Sequence, residues 1–276
     1  MLRKLEAKLH ILSRRLRGKP VSARMKYEAA GGSWKYDSGS PEHLNSFDTS
    51  SNDLLDYFLT NRGRRMNKWL HYFEIYDRHF ARFRNKSPIV LEIGVSGGGS
   101  LEMWRWYFGA GATIIGVDVN ESCAQLRDEG FLIEIGDQAD PAFWERFKQR
   151  YPRIDILIDD GGHTMQQQRV TFERMFPHVD GRGIYLCEDL HTSYIEKFDG
   201  SYRGQETFVE FAKGLVDDLN IRWFQKGTPQ GTLPIGTAMH FYSDVVVFEK
   251  AALRESPVSA TSKGGKLTIR GARQTT

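Results

Sequence analysis

Two stretches of the chain concentrate groups that could do chemistry. Ile158-Asp159-Asp160-Gly161-Gly162-His163 and Tyr185-Leu186-Cys187-Glu188-Asp189-Leu190 each follow a short apolar run. If those runs are neighbouring strands, they lie about 4.8 Å apart, and Asp160, Glu188 and Asp189 converge on one rim. Three carboxylates that close repel one another unless a cation lies among them. Hard oxygen ligands suit Mg²⁺, Mn²⁺ or Ca²⁺ rather than zinc. His163 follows Asp160 by three residues, after two glycines. A neutral imidazole there could take a proton from a substrate hydroxyl. A lone histidine more often starts a helix or packs in a core, and Glu188-Asp189 could simply cap the next helix. The acidic company favours the chemical reading. Asp159 is read chiefly as a structural acceptor for backbone N–H groups beside the cofactor rim.

A second group of polar residues stands at earlier strand ends. The first apolar run ends Leu91-Glu92-Ile93-Gly94-Val95-Ser96-Gly97-Gly98-Gly99-Ser100. Such a glycine-rich turn from strand to helix lets backbone N–H groups approach a ligand. Alone it is a weak signal. The second run ends at Asp118, 24 residues after Gly94. An acid at that strand tip can accept both hydroxyls of a ribose. The third ends Ile135-Gly136-Asp137-Gln138, and an acid or amide there can meet an adenine amine. Three strand ends thus offer a nucleotide-binding rim: Glu92, Gly94, Ser96, Gly97, Gly98 and Ser100, then Asp118, then Asp137 and Gln138.

These residues need a parallel sheet to position them. Apolar runs occur at 89–93, 113–117, 131–135, 154–158, 183–187, roughly 221–224, and 241–248. Helical stretches are expected at about 99–108, 121–128, 140–150, 164–175 and 204–219. That alternation predicts an α/β, Rossmann-like seven-stranded sheet with right-handed crossovers. The final run follows a Gly/Pro-rich stretch with no helix before it, so an antiparallel last strand is expected. Four segments result: a basic amphipathic helix and irregular extension over 1–50, a helical cap over 51–86, the sheet domain over 87–250 and a disordered basic tail over 251–276. In the cap, Asn61-Arg62-Gly63 is the expected break. Residues 18–84 and the Asp199–Gln205 segment are expected to roof an acceptor pocket, with Trp34, Tyr194 and Tyr202 as walls.

Composition bounds the partners. The chain has 276 residues, 40% apolar and 26% charged, with net charge +3. Residues 1–35 carry ten Lys/Arg against two Glu, residues 250–276 six against one, and the remainder 22 against 32. An acidic body argues against nucleic-acid binding, whose affinity rests on phosphate neutralisation. Leu2, Leu5, Leu9, Leu12 and Leu16 form a leucine stripe with basic flanks. The stripe suits packing on the chain itself, a homo-oligomer contact, or peripheral contact with a membrane. No apolar run approaches the 18 or so residues of a membrane span, and the charged N-terminus lacks the apolar core of a secretory signal. Two cysteines, Cys123 and Cys187, exclude a disulfide scaffold and suit a reducing, cytoplasmic setting.

The pattern resembles the class I S-adenosylmethionine-dependent methyltransferases. Their first-strand motif, E/D-x-G-x-G-x-G, stands here as Glu92-Ile93-Gly94-Val95-Ser96-Gly97-Gly98, with Ser96 in place of the middle glycine. Glu92 ahead of the first glycine is not part of the nicotinamide dinucleotide fingerprint. Asp-Asp-Gly-Gly-His, Phe176-Pro177-His178-Val179, Gly183-Ile184-Tyr185 and Glu188-Asp189-Leu190-His191-Thr192-Ser193-Tyr194 narrow the resemblance. Together they look like the metal-dependent macrolide-sugar O-methyltransferases of the mycinamicin 2″ type, across about residues 87–250. The resemblance implies S-adenosylmethionine as cofactor, Mg²⁺ (or Mn²⁺) on Asp160, Glu188 and Asp189, and His163 as general base. It implies methylation of a hydroxyl on a sugar or glycosylated small molecule. Cephalosporin-hydroxylase-like proteins share much of the pattern, so a metal-dependent hydroxylase is the alternative enzyme. A non-catalytic membrane scaffold would leave the carboxylates unexplained.

Overall fold

The computed structural model describes residues 2–17, 21–22, 24–26, 45, 47, 52–223, 238–250 and 258–271. Trp34, expected as a pocket wall, and the last residue of the expected 221–224 run lie outside them. The chain divides into two compact units: Met1–Pro88, Val95–Ile114 and Ser122–Leu132 form one, and Ile89–Gly94, Ile115–Glu121 and Ile133–Thr276 the other.

The sheet has seven strands: β1 (Ile89–Ile93), β2 (Thr113–Asp118), β3 (Leu132–Ile135), β4 (Ile154–Asp159), β5 (Val179–Cys187), β6 (Ala238–Phe241) and β7 (Val246–Glu249). Their order is β3-β2-β1-β4-β5-β7-β6. β4 lies parallel to both β1 and β5, with Leu91 opposite Leu157 and Leu157 opposite Tyr185. β7 runs antiparallel to β5 and to β6. The strand order reverses direction between β1 and β4, which is where open α/β sheets bind ligands. β4 is buried at every position, as expected of a central parallel strand.

The second unit packs its core on Leu91, Ile115, Trp144, Leu157, Phe172 and Tyr185. Phe172 sits at its centre, 4.8 Å from Phe176, 5.0 Å from Tyr185 and 4.5 Å from Phe248 between ring centroids. Phe172 belongs to helix α6; the α-helices in chain order are α1 (Leu2–Leu16), α2 (Asp53–Thr60), α3 (Tyr72–Phe80), α4 (Gly99–Phe108), α5 (Pro141–Arg150), α6 (Met165–Met175) and α7 (Phe208–Gly214). In the first unit, Tyr76 stacks on Phe80, and Trp104 meets both edge-on. No helix among the described residues is long and apolar enough to cross a membrane.

Several expectations are corrected. Residues 221–223 of the expected run do not form a strand; Asp218–Trp223 is a 3₁₀ turn. A short apolar run cannot distinguish strand from turn by periodicity. The sixth strand instead comes from dividing the last run. Asp244 adopts φ +62°, and the Tyr242 N–H donates to Val245 O at 2.8 Å, so a tight turn splits β6 from β7. The 121–128 stretch is 3₁₀ rather than α-helical, and the 204–219 stretch forms only α7 before Leu215. The cap holds two helices, α2 and α3, with Asn61–His71 between them rather than a three-residue break. The tail is not wholly irregular: β8 (Val258–Lys263) and β9 (Lys266–Gly271) pair antiparallel. Gly264 and Gly265, at φ +56° and +73°, supply the two positive-φ residues a tight hairpin turn needs.

Candidate active site

The β4 end carries the acids into a loop held by buried hydrogen bonds. The Asp160 N–H donates to Ile93 O at 3.0 Å, and the Glu188 N–H to Asp159 O at 2.9 Å. The ends of β1, β4 and β5 are thereby laced together. Asp159 is 1% exposed. It accepts from the Tyr185 hydroxyl at 2.9 Å and from Gln138 Nε2 at 3.0 Å. Burial pushes its carboxyl up to about 7, with the neighbouring Asp160 charge adding and the two hydrogen bonds opposing. The same burial raises the Tyr185 hydroxyl and the Cys187 thiol.

Gln138 ties this loop to its surroundings. Its amide nitrogen donates to Asp159 and to Thr171 Oγ1 at 3.1 Å, and its oxygen accepts from the Gly162 N–H at 2.9 Å. The carboxamide is buried, and its hydrogen bonds clamp the β4 loop. A Cβ at Gly161 would lie 1.8 Å from Gln138 Oε1, so the clamp requires glycine there. Helix α6 supports both acidic loops. Its Thr171 meets Gln138, and its Gln168 Nε2 donates to Glu188 O at 3.2 Å. Thr164 caps α6 with a reciprocal capping box to Gln167, fixing the helix directly after His163.

The exposed product of this scaffold is a cluster of three groups. His163 Nε2 lies 3.7 Å from Asp160 Oδ1 and 3.5 Å from Asp189 Oδ2. One ligand atom from each residue falls within 4.8 Å of the others, and all three side chains are half-buried. Glu188 is not in this group and is 1% exposed. Asp189 stands at the N-cap of the 3₁₀ turn Leu190–Tyr194 but makes no side-chain cap bond, so its carboxylate is not spent on the helix end. His163 and Asp189 both have left-handed backbone, at φ +61° and +55°. Such conformations cost roughly 1–3 kcal/mol in non-glycine residues and gather at functional sites. Two carboxylates at this spacing suit a hard divalent cation, with the imidazole of His163 beside them as a proton acceptor. With one histidine, the group lacks the two-histidine set of iron oxygenases.

The nucleotide-rim residues are placed as follows. In the second unit, Glu92 is fully buried on β1 opposite Ile158. Gly94 turns away at φ +90°, where a Cβ would lie 1.8 Å from the Asp160 carbonyl oxygen. Asp118 and Asp137 each accept from a backbone N–H two residues on, at 2.8 Å, and Asp137 is exposed. In the first unit, Ser96 at φ +47° and Gly97 are exposed, whereas Gly98, at φ +79°, and Ser100 are buried. Ser96 therefore occupies a backbone region that favours the glycine it replaces. The segment before α3 braces this turn: Arg64 Nη1 donates to Gly97 O at 3.3 Å, and a Cβ at Gly99 would lie 2.5 Å from Arg65 O. Arg64 also pairs with Glu129. Sequence reasoning missed Arg64, because only a chain reversal brings it to the turn. Tyr194 and Tyr202 are both exposed.

This strand order, with its antiparallel β7 and its acids at the β4 and β5 ends, is the Rossmann-like fold of class I methyltransferases. No family model matches the chain. It is 37% identical over 199 residues to the 8-demethyl-8-alpha-L-rhamnosyl tetracenomycin-C 2'-O-methyltransferase of Streptomyces olivaceus, covering 67% of this chain and 52% of that protein. It is 41% identical over 162 residues to the mycinamicin VI 2''-O-methyltransferase of Micromonospora griseorubida, covering 55% and 40%. Among solved structures it resembles the MycE methyltransferase of the mycinamycin biosynthetic pathway in complex with Mg and SAH. There the TM-score is 0.63 at 32% identity, over 72% of this chain and 54% of that one. The chain spans about half the length of the curated relatives it matches.

Proposed function

We propose that the chain is an S-adenosylmethionine-dependent, divalent-metal-assisted O-methyltransferase acting on a hydroxyl of a sugar or glycosylated small molecule. The observation that carries this reading is the Asp160–His163–Asp189 cluster at the β4 and β5 ends of a methyltransferase sheet. When bound, the cofactor supplies an electrophilic methyl group on a sulfonium. A divalent cation supplies positive charge that lowers the pKa of a nearby acceptor hydroxyl.

The chain's own residues do the rest. The Glu92–Ser100 turn presents backbone N–H groups to the cofactor. Asp118 accepts its ribose hydroxyls, and Asp137 lies toward its adenine. Asp160 and Asp189 are the cation's ligands nearest His163. Glu188 joins them only if its buried carboxylate turns toward the site. Nε2 of His163 would take the proton of the acceptor hydroxyl, whose oxygen would receive the sulfonium methyl, with S-adenosylhomocysteine as the leaving group. Placement of oxygen and methyl about 3 Å apart then supplies much of the rate. Two free, buried cysteines fit a reducing compartment such as the cytoplasm. The rhamnosyl acceptor in one relative's name supports a glycoside as the acceptor class, and the acidic body of the chain argues against nucleic acid. Self-association is part of the reading.

The test is methyl transfer from labelled S-adenosylmethionine to a panel of rhamnosides and macrolide glycosides, with Mg²⁺ and with EDTA. Labelled glycoside in Mg²⁺, lost with EDTA, is the expected result. Transfer equally fast in EDTA would remove the metal, and no transfer to any sugar hydroxyl would remove the acceptor class.

A further inference from the structure

Helix α1 presents an apolar face to solvent. Leu9, Leu12 and Leu16 are 58%, 54% and 80% exposed, at helical spacing on one side. Residues 2–17 carry six Lys/Arg against one Glu, and Lys8, Arg15 and Arg17 are exposed. Clustered exposed leucines on a rigid element mark a surface that something apolar covers.

The charge decides among occupants. A second copy of the helix would bring the same cations against these, and two heptads make a poor coiled coil. An acidic protein face would answer the charge but offers the leucines only solvated carboxylates. An anionic bilayer answers both, with phosphates for the cations and the acyl boundary for the leucines. A helix of 15 residues lies in such an interface rather than spanning it.

The β8–β9 hairpin repeats the combination independently. Leu267 and Ile269, 64% and 62% exposed, share one face, opposite Ser262 and Ala260 across the ladder. Lys263 and Lys266 flank its turn. A lone two-stranded hairpin is marginal in water, and an interface that takes up its apolar face stabilises it.

We propose that α1 docks the protein on an anionic lipid surface. The inference goes beyond the catalytic reading and does not depend on it. The full chain is co-sedimented with vesicles of phosphatidylcholine alone and of phosphatidylcholine with phosphatidylglycerol, at low and high salt. Solution mass is measured by light scattering. The wild type pellets with the anionic vesicles, and about tenfold less with neutral vesicles or at high salt. The triple variant Leu9→Gln/Leu12→Gln/Leu16→Gln loses binding by a similar factor with unchanged mass, and Lys8→Glu/Arg15→Glu does the same while sparing the leucines. No pelleting of the wild type, or pelleting of either variant equal to that of the wild type, overturns the proposal. A fall in mass in the leucine variant also overturns it and assigns the stripe to a second copy.

Discussion

His163 holds an unfavourable backbone conformation between two carboxylates while its Nδ1 is buried without a hydrogen-bond partner among the described residues. Packing alone gives no reason to keep a histidine there. His163→Ala should lower turnover by roughly 10²–10⁴-fold, the usual worth of a general base, while S-adenosylhomocysteine still binds. Unchanged turnover in single-turnover kinetics would remove it as base. Gln138 makes the complementary prediction. Gln138→Leu strands the Gly162 N–H and two other buried partners, costing about 1–3 kcal/mol in urea unfolding. It should also weaken Mg²⁺ binding, since the β4 loop is what the amide holds. Asp160, His163 and Asp189 were legible because acids and a histidine at strand ends have a chemical signature. Gln138 was not, since its role depends on Asp159 and Thr171, both distant in sequence.

At the scale of elements, the site is built where loops from β1 and β4 cross within atomic contact. Gly94→Ala puts a methyl into the Asp160 carbonyl at a positive φ, and should cost at least about 2 kcal/mol from strain and overlap together. Thermal unfolding checks this, and an unchanged midpoint would mean the two loops are further apart. Phe172→Ala, emptying the centre of the α6 packing, should cost about 3–5 kcal/mol. β1 to β5 were readable because short apolar runs alternate with helical stretches. Ile221–Trp223 misled because so short a stretch, with Arg222 between its two apolar residues, carries no period. The division of β6 from β7 hinged on a turn at Asp244 that the apolar spacing masks.

At the scale of the whole chain, net charge +3 conceals basic ends and an acidic body, an asymmetry visible in the sequence. The hairpin at the C-terminal end escaped because its Ser/Thr/Lys composition reads as disorder, whereas Gly264-Gly265 and the alternation of Leu267 and Ile269 encode it. The central claim is that this sheet binds the methyl-donor cofactor beside a cation held by Asp160 and Asp189. Calorimetric titration of wild type and Asp160→Asn with S-adenosylhomocysteine, and separately with Mg²⁺, tests it most directly, with NAD as the control ligand. The account predicts saturable binding of the homocysteine product but not of NAD, and a Mg²⁺ heat that disappears in Asp160→Asn while product binding persists. Absence of product binding in the wild type, or a Mg²⁺ heat equal in both proteins, would contradict it.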